Sequence, residues 1–213
     1  DSGDVTVDPV MFTVRNTGTI KFFDASVPAG GTGTFADPYR LPGDIMNYSY
    51  PEADRPKAGD HFYFKAGTYI AESDSSVIFP YKTRSESGTP GNSITFSSYP
   101  GQFAVLNSKD DVGSNKQHTI RGFGAITDEV RPTDMKDSFT FSRLDLYGNA
   151  GSANLAGGNN IRVIGCQGNG CHITNGTGDY NWSLPYGNNN HKILGCVSRN
   201  STSGKSTDHA FYP

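Results

Sequence analysis

Short runs of alternating apolar and polar residues recur along the chain. They appear at Val5-Thr6-Val7, Met11-Phe12-Thr13-Val14, Thr19-Ile20-Lys21-Phe22-Phe23, His61-Phe62-Tyr63-Phe64, Ser93-Ile94-Thr95-Phe96 and Phe139-Thr140-Phe141. A period of two predicts strands with one buried face. The clearest pattern is a phrase that returns after 30 residues: Asn160-Ile161-Arg162-Val163-Ile164-Gly165-Cys166 aligns without a gap on Asn190-His191-Lys192-Ile193-Leu194-Gly195-Cys196. Self-similarity at a fixed interval is the mark of a solenoid, in which each coil stacks on the one before.

With the first buried position of the repeated strand as a marker, the coils begin at Phe62, Ile94, His118, Phe139, Ile161 and His191, at intervals of 21 to 32 residues. Three short strands and three turns occupy about 20 to 25 residues, so the longer intervals predict loops bulging from a turn. Two positions on, Phe64, Phe96, Ile120, Phe141, Val163 and Ile193 form an apolar stack. Just before the marker, Asp60, Asn92, Asp137, Asn159 and Asn189 share a turn position, suited to side-chain bonds and left-handed backbone. The same register aligns Cys166 and Cys196 with Phe123 and Leu144, so these cysteines are expected as buried stacked thiols, with a bridge to Cys171 as the alternative.

The strands before Asp24 could cap the first coil, with a hairpin across Asn16-Thr17-Gly18. This divides the chain into an N-terminal cap over 1–23 and a solenoid over 24–213. A short helix fits within Pro42 to Tyr50. The chain stops soon after Asp208-His209-Ala210-Phe211-Tyr212, which reads as part of another coil. The expectation is therefore that a missing C-terminal portion, or an additional polypeptide, completes the stack.

Composition narrows the function classes. The 26 glycines among 213 residues, abundant Asn, Ser and Thr, and 18% charged residues fit many tight turns rather than long helices. A net charge of −3 provides no basic excess for nucleic acid. No run approaches the roughly 18 apolar residues of a membrane span. Low lysine content fits an extracellular or cell-surface protein, and a first residue, Asp1, that is not Met fits a processed secreted chain and equally a trimmed one.

One segment resembles a known superfamily. A Gly-rich loop ending in Pro-aromatic (Gly30-Gly31-Thr32-Gly33-Thr34-Phe35-Ala36-Asp37-Pro38-Tyr39) is followed by a short helix. Then come Gly59-Asp60, an alternating strand and Ala66-Gly67-Thr68-Tyr69. With Gly88-Thr89-Pro90-Gly91-Asn92 and Tyr99-Pro100-Gly101, this resembles the opening of the pectate-lyase-like right-handed parallel β-helix proteins. The resemblance covers Asp24 to about Leu106. It implies an all-β, right-handed, single-stranded parallel β-helix, secretion, and action on polysaccharides.

The position between the two buried residues of each strand points outward and reads Tyr63, Thr95, Thr119, Thr140, Arg162, Lys192. Cations about 4.8 Å apart on a ridge suit a repeating acidic polymer, although outward Arg and Lys are also ordinary on a solvated face. Many members of the superfamily cleave acidic polysaccharides by β-elimination: a base removes the C5 proton while Ca²⁺ or cationic side chains neutralise the uronate. On that resemblance Arg162 and Lys192 are the catalytic candidates, and Tyr63, Arg121, Arg143 and Arg199 the substrate-binding ones. The outward rows hold no Asp cluster for calcium, and Cys171-His172 lacks further ligands for another metal, so no cofactor is expected, with Ca²⁺ the alternative that the resemblance leaves open. A hydrolase would need paired carboxylates, for which Asp145 and Asp179 are candidates by elimination. Asp208 and His209 could act as an acid/base pair, but adjacent strand residues face opposite sides. Two other classes fit the same pattern: a structural fibre or adhesin component, and a phage tailspike-type receptor-binding protein.

Overall fold

The computed structural model of the chain describes residues 17–46, 55–70, 86–107, 118–121, 137–147, 151–154, 159–169, 180–183, 190–199 and 209–212. Within them the protein is mostly β. Fifteen short strands are accompanied by one helix, α1 (Pro42–Met46), where the sequence predicts it.

The strands form three sheets, all with parallel pairings. The first sheet runs in the spatial order β1 (Ile20–Phe23), β2 (His61–Phe64), β4 (Ile94–Ser98), β7 (Phe139–Ser142), β10 (Arg162–Ile164), β13 (Lys192–Leu194). The second runs β3 (Gly67–Ile70), β5 (Ala104–Asn107), β8 (Leu144–Tyr147), β11 (Gln167–Asn169), β14 (Val197–Arg199). The third runs β6 (His118–Arg121), β9 (Gly151–Asn154), β12 (Tyr180–Ser183), β15 (His209–Tyr212). From β4 onward the chain visits the sheets in rotation, and each strand pairs with the one from the previous circuit.

Strand registers follow from the apolar pattern. Phe62 pairs with Phe96, Phe96 with Phe141, Phe141 with Val163 and Val163 with Ile193. The rings of Phe62 and Phe96 stack at 4.9 Å, and those of Phe96 and Phe141 at 5.8 Å. Phe23, Phe62, Phe64, Phe96, Phe139 and Phe141 are all fully buried. Each such side chain contributes roughly 1.5–3 kcal/mol relative to exposure, so this aromatic column dominates the core.

Two expectations are corrected here. The marker places Phe62 beside Ile94, but the pairing is Phe62 with Phe96, a slip of two residues. His61, not Tyr63, therefore stands beside Thr95, and Tyr63 stands beside Ser97. The marker also places His118, Thr119 and Ile120 among the strands of the first sheet, whereas β6 belongs to the third and pairs with β9.

Turns between the first and second sheets are tight. Arg143 alone separates β7 from β8, and Gly165 and Gly195 occupy the matching place in later circuits. All three have positive φ, at 54°, 59° and 60°. At the other end of these strands Ser138, Asn160 and Asn190 form a second positive-φ set, at 57°, 56° and 63°. Asn tolerates this geometry better than most residues, which accounts for the Asn that opens each repeated phrase.

The polar turn row is confirmed in part. The Asp137 carboxylate accepts from the Asn159 amide at 2.6 Å and from its side chain at 3.2 Å. Asp60 instead accepts from Thr19 N, Thr19 Oγ1 and Lys57 N, at 2.8 to 2.9 Å. Residues 1–16, Phe123, Cys171, Asp179, Asn189 and Asp208 lie outside the described residues.

Candidate functional site

The outer face of the first sheet carries two side-chain rows. One reads Ile20, His61, Thr95, Thr140, Arg162, Lys192; the other reads Phe22, Tyr63, Ser97, Ser142, Ile164, Leu194. Its chemistry changes from aromatic at β1 and β2, through short hydroxyl side chains, to cationic at β10 and β13. Thr95 and Ser97 are buried, whereas Thr140 and Ser142 are partly exposed.

At the cationic end Arg162 and Lys192 are direct register partners on neighbouring strands, and both are exposed. Like charges placed side by side on adjacent strands repel. No ion pair among the described residues includes either of them.

At the aromatic end four rings converge. Phe22 lies 5.9 Å from Tyr63 in a stacked pair, 5.2 Å edge-on from Phe35, and 6.0 Å from Tyr99. Tyr63 meets Tyr99 edge-on at 5.6 Å, and Tyr99 lies 5.8 Å from Phe35. His61 stacks on Tyr63 at 4.2 Å, and its Nε2 is 2.8 Å from Ser97 Oγ. Phe35 remains 54% exposed, a large apolar surface for a residue this well surrounded.

The Gly-rich loop places Phe35. Phe22 N donates to Gly33 O and Tyr39 N to Phe22 O, both at 2.9 Å, so the loop lies along β1. Thr32 N and Oγ1 donate to the Asp37 carboxylate at 3.0 Å, closing the bend. At Gly33, with φ +78°, a side chain would lie 2.3 Å from the Tyr39 ring. Lys65 fixes the outer end: its Nζ donates to Phe35 O at 3.0 Å, lies 4.4 Å from the Phe35 ring centroid and pairs with Asp24 at 3.4 Å. Beside this loop an open depression of about 520 Å³ is bounded by Asp24, Lys65, Thr68 and Gln102.

Arg143 lies in the turn between β7 and β8. Burial raises the Tyr63 hydroxyl above the usual tyrosine range, the neighbouring Tyr99 adds to the rise, and the Arg143 charge opposes it. Arg143 is also a non-glycine residue in left-handed geometry where later circuits use glycine. Such a backbone costs roughly 1–2 kcal/mol, and local strain of this kind concentrates at functional positions.

The structure thus places Arg162 beside Lys192, while Arg143, in the turn between β7 and β8, reaches Tyr63 only through its charge. It separates the other two substrate-binding candidates. Arg121 lies on β6 in the third sheet, paired with Asn154. Arg199 lies on β14 in the second sheet, paired with Asn169. Near Arg199, Asp145 accepts from the side chains of Asn169 and Gln167. Burial raises its carboxyl, against the pull of both amides and of the Arg199 charge. His209 lies on β15 beside Tyr180. Cys166 and Cys196 are free thiols, the first buried and the second half-buried. Among the described residues no three His, Cys, Asp or Glu side chains converge on a metal position, and no helix is long and apolar enough to cross a membrane.

Sequence reasoning missed Phe22, Phe35, Tyr99 and His61. The signal available was the aromatic residue inside each turn motif, Gly33-Thr34-Phe35 and Ser98-Tyr99-Pro100, where an apolar side chain has no strand face to bury.

No protein-family model matches the chain, and no curated protein matches it in sequence. Among solved structures it is similar to a protein named rhamnogalacturonan lyase, at 15% identity and a TM-score of 0.47. The match covers 85% of this chain and 51% of the other, so the chain spans about half the length of that structure.

Proposed function

We propose that the chain is a right-handed parallel β-helix that binds an extracellular acidic polysaccharide along the outer face of its first sheet. The rotation of the chain through three parallel sheets supports the helix, and parallel crossovers are right-handed in nearly all proteins. The observation that carries the binding reading is the exposed, in-register pair Arg162 and Lys192. A uronate carboxylate seated between them relieves their repulsion and is held by charge-assisted hydrogen bonds.

The same pair supports a finer reading, eliminative cleavage. One of the two, as the cation, neutralises the carboxylate and makes the C5 proton more acidic, and the other, in its uncharged free-base form, takes that proton and becomes the cation. The C5–H and C4–O bonds break, a C4=C5 double bond forms, and the leaving oxygen acquires a proton from solvent. No metal enters this scheme.

Calorimetric titration with a polyuronate at low salt tests the binding reading. The R162A/K192A variant is expected to lose at least about tenfold in affinity, ~1.4 kcal/mol, while a neutral glycan distinguishes charge from general stickiness. Wild-type affinity in that variant overturns the assignment. Ultraviolet absorbance of the unsaturated product, followed in the same samples, decides cleavage: binding without it leaves a recognition module of the adhesin or receptor-binding kind.

A further inference from the structure

We infer that the aromatic cluster of Phe22, Phe35, Tyr63 and Tyr99 is a second glycan subsite, one that stacks the C–H face of a neutral pyranose. The polymer is then a uronic-acid polysaccharide that also carries neutral sugars. The inference rests on the reading of the same face as a glycan platform.

The cluster is built for a ligand of mixed character. Phe22 and Tyr99 each lie within 6.0 Å of the other three rings, in stacked, tilted and edge-on pairs, and Phe35 is held open to solvent by the loop that Thr32, Asp37 and Lys65 fix. Core aromatics of this chain, by contrast, are fully buried. The Tyr63 and Tyr99 hydroxyls make no hydrogen bond to any described residue, so both are available to sugar hydroxyls. Each amphipathic ring presents an apolar face with a polar tip, which matches a pyranose with its C–H face and hydroxyl rim. The described carboxylates nearest the rings are both engaged, Asp24 with Lys65 and Ser26 and Asp37 with Thr32. The occupant therefore has no charge requirement at the rings themselves.

Spacing joins the two subsites. β2, which carries Tyr63, and β10, which carries Arg162, are three strand spacings apart, ~14 Å; between them lie the buried Thr95 and Ser97 of β4 and the partly exposed Thr140 and Ser142 of β7. A short run of a glycan chain is long enough to reach from one to the other past the covered β4 row.

Titrations with a homopolyuronate and with a mixed polysaccharide of uronic and neutral residues, each at low and high salt, test the inference. Salt screens the cationic contacts and leaves stacking largely intact. The F35A/Y99A variant is expected to lose about tenfold on the mixed polymer, with its salt dependence unchanged, and to lose the preference for it over the homopolymer. F35W and Y99F, which keep the rings, retain binding and separate lost stacking from misfolding. Equal losses on both polymers support stacking but overturn the neutral-sugar assignment. Wild-type binding by F35A/Y99A overturns the subsite and leaves the Arg162 and Lys192 reading standing. Absence of binding by the wild-type protein to either polymer overturns both.

Discussion

Cys166 and Cys196 occupy matching places in successive circuits, yet their environments push their chemistry apart. Burial raises the Cys166 thiol well above the usual range. A hydrogen bond from Cys166 lowers the Cys196 thiol, against its partial burial. Thiolate is the reactive form, so alkylation at neutral pH should modify Cys196 first, with Cys166 reacting only on unfolding. The Cys166→Ala variant should slow labelling of Cys196, because the donor is gone; mass spectrometry of labelled peptides reads both, and equal labelling of the two sulfurs would refute the asymmetry. His191 responds to pH in a definite direction. Burial lowers its pKa below 6.5, with an opposing pull from Asp137. Its Nδ1 accepts from Ile161 N at 3.1 Å, which requires that nitrogen to be unprotonated. The folded state resists the proton that the unfolded state takes up. Stability linked to His191 is therefore complete above about 6.5 and declines as pH falls through the lowered folded value. Urea titrations from pH 7.5 to about 5 should show a steeper loss for wild type than for His191→Gln.

At the scale of the element, the bends that flank β7, β10 and β13 rest on left-handed residues. Asn160→Ala should cost about 1 kcal/mol while Asn160→Gly is nearly neutral. Arg143→Asn should act with the opposite sign, raising stability by up to about 1 kcal/mol while weakening binding of an acidic glycan, since the strained residue carries a positive charge that reaches Tyr63. A stability gain with unchanged affinity would assign Arg143 a purely architectural place. These bends also explain what was legible beforehand. The Asn-led phrase and its Gly-Cys ending repeat because each circuit needs the same two left-handed positions, so β10 and β13 were aligned correctly from the sequence. The register of β2 against β4 was not, for a physical reason. A shift of two residues leaves every side chain on its proper face, so His61-Phe62-Tyr63-Phe64 fits either register and alternation cannot choose. For the same reason alternation at His118-Thr119-Ile120 identifies a strand but not its sheet. Phe35 and Tyr99 lie in turns, where no periodicity reports orientation, and their convergence on Phe22 and Tyr63 depends on loop geometry alone.

At the scale of the molecule, the core is uneven along the stack. Phe62, Phe64, Phe96, Phe139 and Phe141 are wholly buried, the smaller Ile161, Val163 and Cys166 are equally buried, and Ile193 and Cys196 are only partly covered. Exposed Leu194 and Val197 adjoin them on β13 and β14, which are edge strands of the first and second sheets. In a stacked architecture each circuit is stabilised chiefly by its neighbours, so local stability should track this gradient rather than a single global value. Amide exchange measured by mass spectrometry is expected to show the slowest exchange in β4 and β7, intermediate rates in β10 and the fastest in β13 and β14. Phe96→Ala tests the causal link. Removing this ring opens the column at its middle and should cost about 3–5 kcal/mol, accelerating exchange in β2 and β7 on either side. Val163→Ala, at the thinner part of the core, should cost less and act mainly on β7, β10 and β13. Uniform exchange across all strands, or a Phe96→Ala effect confined to β4, would show that the circuits do not support one another through the aromatic column.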